Sequence, residues 1–267
     1  AKRRPVKSAL PFGAVLTLPA TGSEMNSGSV MTRESTLEKL AFMSPLTFPQ
    51  FSFLLPDAAS TLPKRQVANG VVDAFMHTME QYMTYPANAP LQDRFAESIL
   101  QTLIEEGPKA YANPADYDAM SNLMWSATMA LNGLIGCGVP QDWAVHMMGH
   151  ELTAQFEIDH ARTLAIIAPN HYTYNMESKK EKLAQYGERV WGITSGTLEE
   201  KAHAAIEKTV TFFHSLGVKT KLSEYTNAYS GTAQNISKRF TDRGWAGLGE
   251  RQSLKPSDVE KIVEMSY

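Results

Sequence analysis

The stretch "RQVANGVVDAFMHTMEQYM", residues 65–83, restricts the fold more than any other. Wound at 3.6 residues per turn, its Val67, Val71, Val72, Phe75, Met76, Met79, Tyr82 and Met83 cover most of the circumference. A helix apolar on so many sides belongs inside a helical assembly, not on its surface. Yet Gln66, Asn69, Gly70, Asp73, His77, Glu80 and Gln81 recur at spacings of three and four, along one polar line. Asp73 and His77 stand four apart and face one patch. Burying a carboxylate beside an imidazole is unfavourable unless they pair, hydrogen bond or share a metal.

A second polar face follows in "HMMGHELTAQFEIDH", residues 146–160, which holds three of the chain's seven histidines. A helix near 140–155, with Pro140 in its first turn, would put Trp143, His146, His150 and Thr153 on one side. A break near 157–159 would leave His160 at the start of the next helix. One carboxylate and three imidazoles can hold a divalent transition metal. With neutral imidazoles such a set carries one negative charge, so the ion keeps Lewis acidity. Spacing alone leaves this reading and buried salt bridges both open. His171, His203 and His214 lack such a setting and read as structural or exposed. Standard motifs do not apply: Met147 stands where a zincin needs Glu, and no nucleophile elbow, phosphate-binding loop or G-x-G-x-x-G is present.

Around these stretches the chain changes texture. "GAVLTLP" (13–19), "GSVMTRES" (28–35) and "FSFLL" (51–55) read as short strands between Gly, Pro, Ser and Thr. Helices are expected near 64–84, 92–107, 115–135, 140–155, 160–176, 179–192, 198–215, 232–243 and 256–266, the second stopped by Gly107-Pro108. The expected division is a β-containing segment over 1–62 and an all-helical unit over 63–267. Three short strands are too few for a stable sheet, so they look like strands awaiting partners.

With 43% hydrophobic and 20% charged residues in 267, the chain suits a globular protein with a real core. A net charge of -3 offers no global attraction to nucleic acid or an anionic membrane. No apolar run is long enough to cross a bilayer, and no hydrophobic signal segment opens the chain. A single cysteine, Cys137, precludes an intrachain disulfide and fits a cytoplasmic setting. The opening "AKRRPVKSALPFG" lacks Met, which fits methionine removal, trimming, or a piece of a longer protein.

The sequence resembles the iron-containing (group III) alcohol dehydrogenases, especially their NADPH-dependent aldehyde reductase and butanol dehydrogenase branch. The likeness rests on "LTLPATGSEMN" (16–26), "RQVANGVVDAFMHTMEQY" (65–82), "GVPQDWAVHMMGHELTAQFEIDHARTLAI" (138–166) and "LGERQSL" (248–254). Its most specific part is D-x3-H followed by H-x3-H-x9-H. The resemblance implies one divalent metal, iron or zinc, on Asp73, His77, His146 and His160. His150, between two of those ligands, would handle a proton near the nicotinamide and substrate. Thr17, Thr21, Ser23, Asn26 and Lys39 would lie on the nicotinamide side of NADP(H).

In fold, the resemblance implies a mainly α architecture: a dehydroquinate synthase-like C-terminal helical domain after a few strands of an α/β, Rossmann-like, cofactor-binding domain. The family's Gly-Gly-Gly-Ser pyrophosphate loop is not found here, so the activity is expected of a longer protein, as a homodimer acting on small aldehydes or primary alcohols. From the residues alone, two other readings stand: a metal-dependent hydrolase on an all-α scaffold, and a non-enzymatic helical binding domain with buried salt bridges.

Overall fold

The computed structural model describes residues 5–245 and 247–267. Short strands come first. β1 (Gly13–Leu16) pairs in parallel with β4 (Phe51–Leu54), Gly13 opposite Phe51, while β2 (Gly28–Arg33) and β3 (Glu38–Met43) form an antiparallel hairpin. The three expected strands are present but shorter than expected. β3, "EKLAFM", was not expected, because Glu, Lys and Ala have low strand preference and only its pairing with β2 makes it a strand.

Helices α1 (Lys64–Tyr82), α2 (Pro90–Ala112), α3 (Tyr117–Leu131), α4 (Ala144–Phe156) and α5 (His160–Tyr174) carry the apolar centre. Outside them lie α6 (Met176–Trp191), α7 (Leu198–Ser215), α8 (Thr232–Asp242) and α9 (Pro256–Glu264). Every residue from Val67 to Tyr82 is buried, as a helix apolar nearly all round requires. α1 packs against α2, α3 and α5, and α4 lies on α5 with β3 against it. None of the described helices is long and apolar enough to cross a membrane.

Several helix boundaries differ from expectation, α3 ending at Leu131 and α6 starting at Met176 among them, and two differ for a tertiary reason. α2 continues through Gly107-Pro108 to Ala112 instead of stopping there. Gly107 lies directly on Val71 of α1, where an added Cβ would fall 2.8 Å from a Val71 methyl, so packing against α1 carries the helix past its proline. α4 begins at Ala144, leaving Pro140 outside it. Its first-turn N–H groups have acceptors elsewhere: Ala144 donates to Asp142 Oδ1 at 2.9 Å and Val145 to Glu80 Oε1 at 2.7 Å. Glu80 belongs to α1, so a neighbouring helix supplies part of the cap that decides where α4 starts.

Gly70 shows how tightly the strand segment rests on this centre. A Cβ there would lie 2.1 Å from the Pro19 carbonyl oxygen, so the loop after β1 crosses α1 at backbone distance. Because the obstacle is main chain, it cannot be relieved by a side-chain rotation. Gly70→Ala is expected to destabilise the fold by about 1–3 kcal/mol despite the better helix propensity of alanine. Urea denaturation of the two proteins measures the difference.

Candidate metal centre

Asp73 and His77 lie one turn apart on α1, with the His77 Nε2 3.8 Å from Asp73 Oδ1. From α5, His160 Nε2 reaches the same oxygen, also at 3.8 Å. One ligand atom each from Asp73, His77 and His146 lies within 4.8 Å of the other two. The His77 and His146 rings stack at 4.9 Å, and His146 meets His160 edge to face at 5.2 Å. Donors on a tetrahedral ion with bonds of about 2.0–2.1 Å stand roughly 3.4 Å apart, so Asp73, His77 and His146 would draw together on a metal, and His160, which reaches Asp73 but lies outside that group of three, would have to move in to complete the set.

The α4–α5 break makes the convergence possible. α4 ends at Phe156, Glu157 takes a left-handed conformation (φ 56°), and the chain turns so that His160 opens α5 beside His146.

The fit can be tested on hydrogen bonding. Asp73 Oδ1 and His146 Nε2 are buried and have no hydrogen-bond partner. An unsatisfied buried group costs about 1–3 kcal/mol, more if charged, and a shared cation removes that cost for both. Burial pushes His77 and His146 down to about 4, although the Asp73 charge opposes the shift. His160 is also held well below the ordinary range, first by burial and then by His146 and Lys39. All these rings are therefore neutral near pH 7, the form that binds a metal.

The candidate ligands are themselves held from behind. His146 Nδ1 meets Glu80 Oε2 in a very short contact, and the His146 backbone N–H donates to the same oxygen at 3.1 Å. This contact holds the ring with Nε2 turned away from Glu80, where a metal could reach it. Burial and nearby Asp142 push Glu80 up to about 8, while His171 and the N–H groups of α4 pull it back. Beside His160, Asp159 accepts from Arg65 at 2.6 Å and from Asn69 of α1 at 2.8 Å, tying the start of α5 to α1. Gln81 donates to the His77 carbonyl at 2.7 Å and the Ala130 carbonyl at 2.8 Å, binding α1 to α3. None of these supports was assigned from sequence. Glu80 could have been, since it continues the Asp73–His77 line.

His150 stands apart from Asp73 but beside two of the candidate ligands, its ring 4.8 Å from His160 and 6.2 Å from His146. Burial, with His146 and Lys39 adding to it, pushes His150 down to about 3. Trp143 is not on the helix as expected; it precedes α4 in a left-handed conformation (φ 63°), yet its ring still reaches His146 edge to face at 5.1 Å.

Thr17, Thr21 and Ser23 are exposed in the segment that crosses α1 at Gly70, and Lys39 is half-buried on β3 with its charge acting on Asp73. Asn26 is buried and commits its amide to the loop: it donates to the Thr21 carbonyl at 3.0 Å and accepts from the Gly28 N–H at 2.9 Å. His171 is buried and faces Asp142 at 3.6 Å, whereas His203 is half exposed beside Glu199. His214 donates to or accepts from the Thr220 hydroxyl at 3.0 Å. Thus none of these three joins the cluster.

Residues 67–267 match the Fe-containing alcohol dehydrogenase family, C-terminal, and residues 1–56 match iron-containing alcohol dehydrogenase. The chain belongs to the iron-containing alcohol dehydrogenase family. It is 53% identical to the NADPH-dependent aldehyde reductase YqhD of Escherichia coli over 259 residues, covering 97% of this chain and 67% of the relative. To NADH-dependent butanol dehydrogenase A of Clostridium acetobutylicum it is 36% identical over 264 residues, 98% of this chain and 68% of the other. The crystal structure of E. coli YqhD superposes with a TM-score of 0.95 at 52% identity, covering 98% of this chain and 67% of that one. NADH-dependent butanol dehydrogenase A from Thermotoga maritima gives 0.91 at 30% identity, with the same coverage. This member of the family therefore spans about two thirds of the length of these relatives.

Two outcomes test the centre. In the metal-free protein, buried rings pushed down to about 4 resist protonation, whereas unfolded histidines titrate near 6.5. Stability is then complete above about pH 6.5 and is lost as pH falls toward 4, by a ceiling on the order of 3 kcal/mol per fully buried ring. Melting temperatures in chelator across that window should fall, and added Zn2+ should restore them at the upper end. Glu80→Gln should weaken metal affinity by about 10–100-fold while leaving the circular dichroism spectrum unchanged.

Proposed function

We propose that this chain is the metal-binding part of an NADP(H)-dependent aldehyde reductase or alcohol dehydrogenase acting on small aldehydes or primary alcohols. The observation that carries it is the convergence of Asp73, His77, His146 and His160 in a chain 53% identical to an NADPH-dependent aldehyde reductase. A divalent ion held by those four, iron or zinc, would polarise a carbonyl oxygen and stabilise negative charge as it develops there. NADP(H) would supply the hydride, with Thr17, Thr21, Ser23, Asn26 and Lys39 toward its nicotinamide end.

The chain's own residues supply placement and proton handling. Glu80 keeps the His146 ring turned so that Nε2 faces Asp73, and Asp159 keeps His160 at the end of α5 that meets α1. His150, adjacent to His146 and His160, serves the proton taken up by the reduced oxygen. Its ring is neutral at pH 7, which suits passing a proton through an oriented water better than storing one. Trp143, half-buried at the edge of the His77 and His146 rings, would bound the substrate side and help exclude water. NADP(H) is preferred over NAD(H) because of the reductase relative, although the butanol dehydrogenase relative carries an NADH-dependent name.

His77→Ala is expected to lose both the metal, measured by mass spectrometry of purified protein, and aldehyde-dependent NADPH oxidation by the full-length enzyme. His150→Ala should keep about one ion per chain and lose turnover by roughly 10²–10⁴-fold. A His150 variant that loses its metal would overturn this division of roles. Stoichiometric metal without any aldehyde-dependent NADPH oxidation would favour hydrolase chemistry.

A further inference from the structure

The β2–β3 hairpin lays β3, which carries Lys39, against α4, the helix of His146 and His150, yet little within the hairpin itself can hold it there. Val30, Met31, Leu40 and Met43 are exposed, and a lone two-stranded hairpin is marginally stable in water. At its open end the Thr47 hydroxyl donates to the Ser27 carbonyl at 2.8 Å. Its turn end is held by Arg239 of α8 and by Arg243, the residue that follows that helix. Arg239 Nη2 donates to the Leu37 carbonyl at 2.5 Å and to the Thr36 carbonyl at 3.4 Å, and Arg243 Nε lies 3.4 Å from Glu38 Oε1.

Both arginines also converge on Glu151 of α4, a carboxylate 4% exposed. Arg239 Nε donates to its Oε2 at 2.5 Å, and Arg243 Nη1 makes a very short contact with Oε1. Two carboxylates and two guanidiniums thus balance in charge across β3, α4 and α8. The positions matter more than the pairing. Glu151 follows His150 in α4, and Lys39 follows Glu38 in β3, where successive side chains leave opposite faces. A Glu38 turned to Arg243 therefore leaves Lys39 turned the other way, half-buried on a strand that packs against α4, the helix of His146 and His150.

We propose that Arg239 and Arg243 are positioning residues that clamp the hairpin turn to α4 through Glu151 and so hold Lys39 over the Asp73–histidine cluster. They touch no ligand and act only through Lys39. The effect on turnover rests on the reductase reading above; the clamp itself does not. Removing either arginine frees the turn, leaves the metal ligands in place and takes Lys39 away from the cofactor side. A surface ion pair would have no such reach, but Glu151 is buried and cannot exchange its partners for water.

The test uses full-length, metal-loaded protein carrying Arg239→Met, Arg243→Met, Lys39→Met, the double variant Arg239→Met/Lys39→Met, and the milder Glu38→Gln should an arginine variant fail to fold. Metal content, hydrogen–deuterium exchange over residues 28–43, and KM for NADPH separately from kcat are measured. Each arginine variant should keep its metal, exchange at least tenfold faster across the hairpin, and raise KM for NADPH about tenfold, as Lys39→Met does. Glu38→Gln should do the same to a smaller degree. The double variant should be within about twofold of Lys39→Met alone, since coupled residues are not additive. Unchanged hairpin exchange, metal loss in the arginine variants, or additive defects in the double variant would overturn the proposal. Wild-type protein that oxidises no NADPH would sink the reductase reading instead, and the exchange and metal data would still decide the clamp.

Discussion

Asp73 Oδ1 is buried in a helix that the core covers on every side, and no N–H or O–H points at it. Such an oxygen is tolerable only if something positive is shared with it. Two imidazole nitrogens stand 3.8 Å away, one from its own helix and one from α5. Much of the remaining architecture follows from that requirement. α4 and α5 must both reach α1 at one level, the chain between them must turn sharply, and the loop after β1 must cross α1 at backbone distance. Glu157 in a left-handed conformation and Gly70 under the Pro19 carbonyl meet the last two demands.

The polar groups behind the centre bind the same helices together. Glu80 of α1 caps α4 and orients His146, so one side chain sets both the start of a helix and the direction of the His146 ring. Asp142, which caps α4 beside it, accepts from buried Lys179 at 2.9 Å, and Lys179 also reaches Glu250 at 3.0 Å and the Met83 carbonyl at 2.7 Å. Burial alone would push Asp142 up, but His171, its hydrogen bonds and Lys179 hold it well below the usual carboxylate range. Burial first, and then the bond to Asp142, push Glu250 up to about 7. These charges stay inside because each is paired, and breaking one pair would leave its partner buried alone.

The elements legible in the sequence were those that carry their own period. α1 announced itself by apolar residues round its circumference and one polar line through it, and its Asp73–His77 pair needed only the 3.6-residue turn to face one patch. The break before His160 was legible as well. Elements that depend on distant partners were not. β3 lacks strand-forming residues and exists because β2 lies beside it. Pro140 looked like a helix start, yet the acceptors that define that start are Asp142 and, from sixty-five residues away, Glu80. The Gly107-Pro108 pair looked like a stop, and contact with Val71 overrides it.

What the sequence by itself determined was the list of candidates: a central helix with a carboxylate and an imidazole on one face, and a histidine-rich segment interrupted once. Local periodicity suffices for that, because residues three and four apart share a face whatever the rest of the chain does. Only the tertiary structure decided which atoms meet. His160 joins Asp73 across eighty-seven positions, whereas His150 is one turn from His146 and still sits outside the Asp73 contacts. Helix packing sets those distances, and it depends on the shape of every buried side chain at once, not on spacing along any one segment.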